Sequence, residues 1–174
     1  GAGDDVIFGG NQNDSIDGNA GNDSIDGDAG DDLIRGGDGD DTLFGDSGND
    51  TLFGGSGNDT INQSVGADQV RGEAGDDTFV VSVVNNESYE FDFDGGTGVD
   101  TLKIATANVT ADFADGTFGR FSSVERVELA GVNLTVKLDD TSVRTAVASS
   151  NAYVDNANYT SKQVLVVEKT AANG

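Results

Sequence analysis

The chain has 174 residues, with nine Lys or Arg against 32 Asp or Glu, a formal charge of -23, and 26 Gly but no Pro, Cys, His, Met or Trp. Without Cys there is no disulfide framework, thiol nucleophile or iron–sulfur site, and without His the usual structural zinc sites and imidazole bases go too. At this charge phosphate backbones and anionic lipids are repelled, so no nucleic acid partner and no direct membrane insertion are expected; no apolar run approaches the roughly 20 residues of a membrane span, and no signal peptide pattern opens the sequence.

The acid and the glycine are unevenly spread. Residues 1–80 carry 19 Asp or Glu, two basic residues and 19 Gly, a net charge of -17; residues 81–174 carry 13 acids, seven bases and seven Gly. The first part is periodic. Asp5, Asp14, Asp23, Asp32, Asp41, Asp50, Asp59, Asp68 and Asp77 recur every nine residues. Two residues after each stands an apolar side chain: Ile7, Ile16, Ile25, Ile34, Leu43, Leu52, Ile61, Val70 and Phe79. Gly stands two residues before each Asp except at Gln12, and five before from Gly9 to Gly72 except at Gln63. Asp or Asn immediately precedes eight of the nine, Ala67 being the exception. The unit reads G-x-x-G-[DN]-D-x-[ILVF]-x, as in Gly36-Gly37-Asp38-Gly39-Asp40-Asp41-Thr42-Leu43-Phe44.

Nine residues are too few for a helical repeat. Two Gly per unit supply positive φ and close backbone approach, so the first six positions form a turn. The last three, such as Thr51-Leu52-Phe53, favour a short strand in which only the middle residue faces inward. Successive units then run strand, turn, strand, turn, with their apolar residues stacked inside. Such a core is thin, and its turns crowd carboxylates together. By composition alone residues 1–80 should be disordered. A solvated acidic linker, however, has no reason to hold nine apolar residues in phase. A cation in the turns resolves the conflict.

The donors on offer are carboxylates and turn carbonyls. An oxygen-only set suits Ca²⁺, which takes about 6–8 oxygens in flexible geometry, better than Mg²⁺ or softer metals. If units stack on every second neighbour, the aspartates pair as 5/23, 14/32, 23/41, 32/50, 41/59, 50/68 and 59/77. Seven divalent ions would bring the net -17 of residues 1–80 close to neutrality. An EF-hand is excluded because no Glu occurs before Glu73 to close its loop. The Gly-rich stretches are not phosphate loops, since no G-K-[ST] follows them.

The pattern resembles the RTX, or hemolysin-type calcium-binding, nonapeptide G-G-x-G-x-D-x-U-x. The resemblance covers residues 1–80, and a tenth unit stands at Gly95-Gly96-Thr97-Gly98-Val99-Asp100-Thr101-Leu102-Lys103. It implies a right-handed parallel β-roll with two units per coil. It also implies Ca²⁺ held between turns two units apart, with the nine sixth-position aspartates and turn carbonyls as metal ligands. Departures fall at second positions (Asn19, Asp28, Asp46, Ser64, Glu73), at Gln12 and in the unit Gln63–Arg71.

After Phe79 the register breaks. Residues 81–94 carry a β-rich insert, Tyr89-Glu90-Phe91-Asp92-Phe93. Strands are then expected at Thr101–Ile104, Val124–Leu129, Leu134–Leu138 and Gln163–Glu168. The simplest fold is all-β: a roll over 1–80 continued by an irregular β extension or cap over 81–174, with a separate small sandwich as the alternative. The segment Phe121–Gly131 is similar to stretches that follow RTX units in large secreted surface proteins. Glu125 and Glu128 flank Arg126 and read as surface ion pairs. No G-x-S-x-G elbow exists, and paired carboxylates are better assigned to calcium, so no enzyme is expected.

RTX resemblance implies type I secretion from a Gram-negative bacterium and folding in millimolar external calcium. The first function this suggests is a structural module of a cell-surface adhesin, S-layer or matrix protein, a fragment of something longer, whose partners are neighbouring copies or domains of that layer. The second is the calcium-folded C-terminal module of a secreted protease, lipase or alginate epimerase. The irregular extension, and a final Thr170-Ala171-Ala172-Asn173-Gly174 without a secretion signal, favour the first. A passive calcium-stiffened spacer is a third.

Overall fold

The computed structural model describes residues 1–62, 65–81, 92–105, 110–112, 120–129, 135–137 and 166–169, and among these there is no helix. Expected features at 63–64, 82–91, 134, 138, 163–165 and 170–174 lie outside the described residues.

Two parallel sheets share the units alternately. One is built from β1 (Val6–Asn11), β3 (Ser24–Ala29), β5 (Thr42–Phe44), β7 (Thr60–Asn62), β9 (Thr78–Val81), β11 (Thr101–Ile104), β14 (Arg126–Leu129) and β16 (Val166–Lys169), hydrogen-bonded in that order. The other runs β2 (Ser15–Ala20), β4 (Leu33–Asp38), β6 (Thr51–Ser56), β8 (Gln69–Ala74), β10 (Asp92–Thr97) and β13 (Arg120–Ser122). A short pair, β12 (Thr110–Asp112) and β15 (Thr135–Lys137), is also parallel. Pairing on every second unit, Ile7 against Ile25 and Ile16 against Ile34, makes this a parallel β-solenoid of the roll type.

One apolar residue per unit fills the space between the sheets. Ile25, Ile34, Leu43, Leu52, Ile61, Val70 and Phe79 are buried, as are Val81, Phe93 and Leu102 beyond the regular repeat. The Phe79 and Phe93 rings meet at 5.3 Å between centroids, tilted by 55°. At the first rung Val6 and Phe8 are exposed. Farther along, the Arg35 guanidinium lies 5.3 Å above the outward-facing Phe53 ring.

The strands differ from the expected three residues. In β2, β4, β6, β8 and β10 pairing continues into the second and third turn positions, skipping only the first: Asp17 pairs with Arg35 and Asn19 with Gly37, while Gly18 is passed over. The chain can resume pairing because the second position takes a positive φ. Asn19, Asp28, Asp46 and Glu73 do so at 78°, 66°, 65° and 76°, values in the left-handed region that Asn and Asp tolerate best. The fourth position is stricter. It takes still larger positive φ, and a Cβ on Gly30 or Gly39 would strike the backbone carbonyl of the turn below, Gln12 O or Gly21 O.

The solenoid crosses the register break. β10 pairs with β8 and β11 with β9, each displaced by five residues relative to the regular spacing: Gln69 faces Asp92 and Thr78 faces Thr101. Residues Asp92-Phe93-Asp94 of the insert thus serve as a rung, with Phe93 fully buried. β14 and β16 then extend the first sheet in parallel, which favours continuation of the stack over a separate sandwich.

Candidate metal centre

Each sixth-position Asp ends a turn just before its strand, so stacking the strands stacks the carboxylates. Two rows result, Asp5, Asp23, Asp41, Asp59 and Asp77 on one edge and Asp14, Asp32, Asp50 and Asp68 on the other. All seven expected pairs are brought together. In each, the backbone N–H of the earlier Asp donates to Oδ1 of the later one at 2.7–2.9 Å. Gln12 and the irregular unit 63–71 do not interrupt this, since Asp14 N–H reaches Asp32 and Asp50 N–H reaches Asp68.

The bond to Oδ1 leaves Oδ2. In Asp23, Asp32, Asp41, Asp50, Asp59, Asp68, Asp77 and Asp100 this oxygen is buried and has no hydrogen-bond partner. A buried ionised carboxylate with an orphan oxygen is costly, since nothing replaces the water it lost. Eight of them in two rows point to missing positive charge. The surroundings supply further oxygens. A Cβ on Gly36 would lie against Asp41 Oδ2 and 2.6 Å from Gly54 O; one on Gly54 would lie against Asp59 Oδ2 and 2.8 Å from Gly72 O. The skipped first-position residue is therefore Gly for space, and the carbonyl of the same position two units on faces the orphan carboxylate oxygen. Carboxylate plus carbonyl oxygens, without nitrogen or sulfur, form a donor set that fits Ca²⁺.

The carboxyls behave accordingly. Asp59 is pushed up to about 7, above all by burial, partly offset by the Asp41 backbone N–H, with the Asp77, Asp41 and Asp40 charges adding to the rise. Burial likewise raises Asp50 and Asp100 to about 6, and raises Asp41, Asp68 and Asp77.

Three features escaped sequence reasoning. The first is the fifth position. Its side chains form a second ladder of opposite sense, in which the N–H of the later unit donates to the earlier side chain: Asn22 N–H to Asp4, Asp40 N–H to Asn22, Asn58 N–H to Asp40 and Asp76 N–H to Asn58, at 2.7–3.0 Å. Only an oxygen acceptor on a short side chain is needed, which explains Asp or Asn in eight of nine units. The second is Glu125. It is not an ion-pair partner on the surface in the expected sense: its Oε2 accepts the Asp100 N–H at 2.9 Å, the place held elsewhere by Asp Oδ1, while Glu128 pairs with Lys103 at 3.7 Å. The third is an outer cluster, Asp26, Asp28 and Asp46, with one oxygen each within 4.8 Å of one another. It is half-exposed, without the buried orphan oxygens of the two rows.

The comparisons with known proteins agree with this geometry. The family described as RTX calcium-binding nonapeptide repeat (four copies) matches residues 1–34, 26–61 and 64–82. No curated protein and no solved structure matches the chain. Residues 1–82, with their nine-residue period, parallel roll and paired aspartate rows, carry the RTX calcium-binding nonapeptide repeat.

Proposed function

We propose that this chain is a structural module of an extracellular adhesin, S-layer or matrix protein, exported by type I secretion to the surface of a Gram-negative bacterium and folded there by calcium. Residues 1–80 form the calcium roll, and 81–174, including the tenth unit at 95–103, extend and cap it. RTX repeats bind Ca²⁺ and are typical of secreted proteins, and among the described residues no helix is long and apolar enough to cross a membrane. The repeat is a structural calcium-binding module, and we assign the chain no catalytic role.

The observation that carries this is the double row of buried Asp Oδ2 atoms without partners. Asp5, Asp14, Asp23, Asp32, Asp41, Asp50, Asp59, Asp68 and Asp77, with turn carbonyls, are the ligands, and about seven ions lie between the pairs. Bound calcium neutralises charge that the thin core cannot tolerate. Because only the stacked turns assemble the ligands, binding free energy is folding free energy. At cytosolic, micromolar or lower calcium the chain stays open enough for export; at millimolar external calcium it folds. Far-ultraviolet circular dichroism tests this: coil in chelator and recovery of β signal in millimolar Ca²⁺ are expected, and an unchanged spectrum overturns calcium-driven folding.

A further inference from the structure

Resting on that reading, we infer that the first aspartate row does not end within the family match but closes on one more Ca²⁺ site, built half from the tenth unit and half from the non-repeat segment Ser123–Glu125. Asp77 N–H donates to Asp100 Oδ1 at 2.9 Å, so Asp100 continues the row across the five-residue insertion. Asp100 is fully buried and its Oδ2 has no partner. It is aimed at the next turn: a Cβ on Gly95 would lie against both Asp100 Oδ2 and Ser123 O. This is the same pairing of orphan carboxylate and carbonyl that joins Asp41 Oδ2 to Gly54 O beside Gly36.

The partner turn, however, is not a nonapeptide. Ser122 pairs with Asp94 and Arg126 with Thr101, so Ser123, Val124 and Glu125 span what Gly95 to Asp100 span one coil earlier. Three residues replace six. Ser123 takes the turn with a φ of 54°, and its carbonyl takes the first-position place. Glu125 stands in the sixth position, where its N–H donates to Asp100 O at 3.1 Å and its carboxylate accepts the Asp100 N–H. The additional methylene of Glu lets a shortened turn deliver a carboxylate where a full turn uses Asp. The Asp/Asn ladder of the fifth position stops here too, since its last described bond is Val99 N–H to Asp76 at 2.9 Å. The consequence is mechanical: the last cation of the row is a joint that ties β14 and the extension to the roll, so the extension orders only when calcium is bound.

The test uses the full chain and Ca²⁺ itself, with Asp100→Asn and Glu125→Gln. Both substitutions keep an oxygen to accept the N–H that the native side chain accepts, and both remove charge from the site. Bound calcium is counted by equilibrium dialysis, and amide hydrogen exchange is followed along the chain during a calcium titration. Glu125→Gln is expected to bind one ion fewer, and Asp100→Asn, whose carboxylate also pairs with Asp77, at least one fewer; both should need roughly tenfold more calcium to protect amides 126–129, while 24–61 are protected as in the parent. Unchanged ion count and unchanged calcium dependence at 126–129 overturn the closing site alone, with the roll's calcium folding intact. Absence of calcium-dependent protection over 24–79 in the parent overturns the proposed function and this site with it.

Discussion

Removing calcium should not leave the chain indifferent to pH. In the folded, metal-free roll Asp59 sits at about 7 and Asp50 and Asp100 at about 6, against an ordinary 3.8. Carboxyls raised on folding contribute their stability below the unfolded value and lose it as pH rises through the folded values. The window is therefore pH 4 to 7. At about 1.4 kcal/mol per pH unit, the three groups together weaken the folded state by roughly 10 kcal/mol at neutral pH, or about 5 kcal/mol once halved for solvent screening at the roll's edge. Either figure rivals the whole stability of a typical domain. In chelator, then, the chain should be coil at pH 7.5 and gain β signal by circular dichroism as pH falls below 6, without any metal. Calcium should displace the protons, so the calcium midpoint should fall as pH rises from 5 to 8. A metal-free chain with no acid-induced β structure, or a calcium midpoint independent of pH, would refute the burial argument.

Two substitutions grade the stacking. Asp41→Ala removes a carboxylate shared by the 23/41 and 41/59 pairs, whereas Asp5→Ala touches only 5/23. A calcium titration should show the larger rise in midpoint for Asp41→Ala, and equal effects contradict ligands shared between neighbours. Gly36→Ala leaves every carboxylate in place but puts a methyl against Asp41 Oδ2, 2.6 Å from Gly54 O. It should raise the calcium midpoint by about tenfold or more; a neutral outcome would mean that the cation does not rest in that space.

The row of aspartates, their pairing on every second unit and the inward apolar residues were legible because each depends only on phase. One residue type at one position, repeated nine times, fixes which atoms stack. Other features were hidden where phase gives way to geometry. The insert conceals a rung because Phe93 matches Val70 only after a displacement of five residues. Glu125 looked like a surface charge because the turn before it has three residues rather than six, so no nonapeptide template places it. The six-residue strands were missed because the positive φ at Asn19, Asp28 and Glu73 permits pairing to resume inside what reads as a turn. The fifth-position ladder was visible as a preference for Asp or Asn, but that preference fits a metal ligand as well as a hydrogen-bond acceptor. Only the stacked backbone, with Asp40 N–H on Asn22 and Asn58 N–H on Asp40, assigns the side-chain oxygens to backbone N–H groups.

The central claim is that the unpartnered Asp Oδ2 atoms face calcium, and a crystal structure grown in millimolar Ca²⁺ addresses it most directly through the anomalous signal of the ion. The account predicts two rows of peaks along the turn edges, each about 2.3–2.6 Å from an Asp Oδ2 such as that of Asp41 or Asp50 and beside a first-position carbonyl. Turns without such peaks, or calcium found only at outer carboxylates such as Asp26, Asp28 and Asp46, would contradict it.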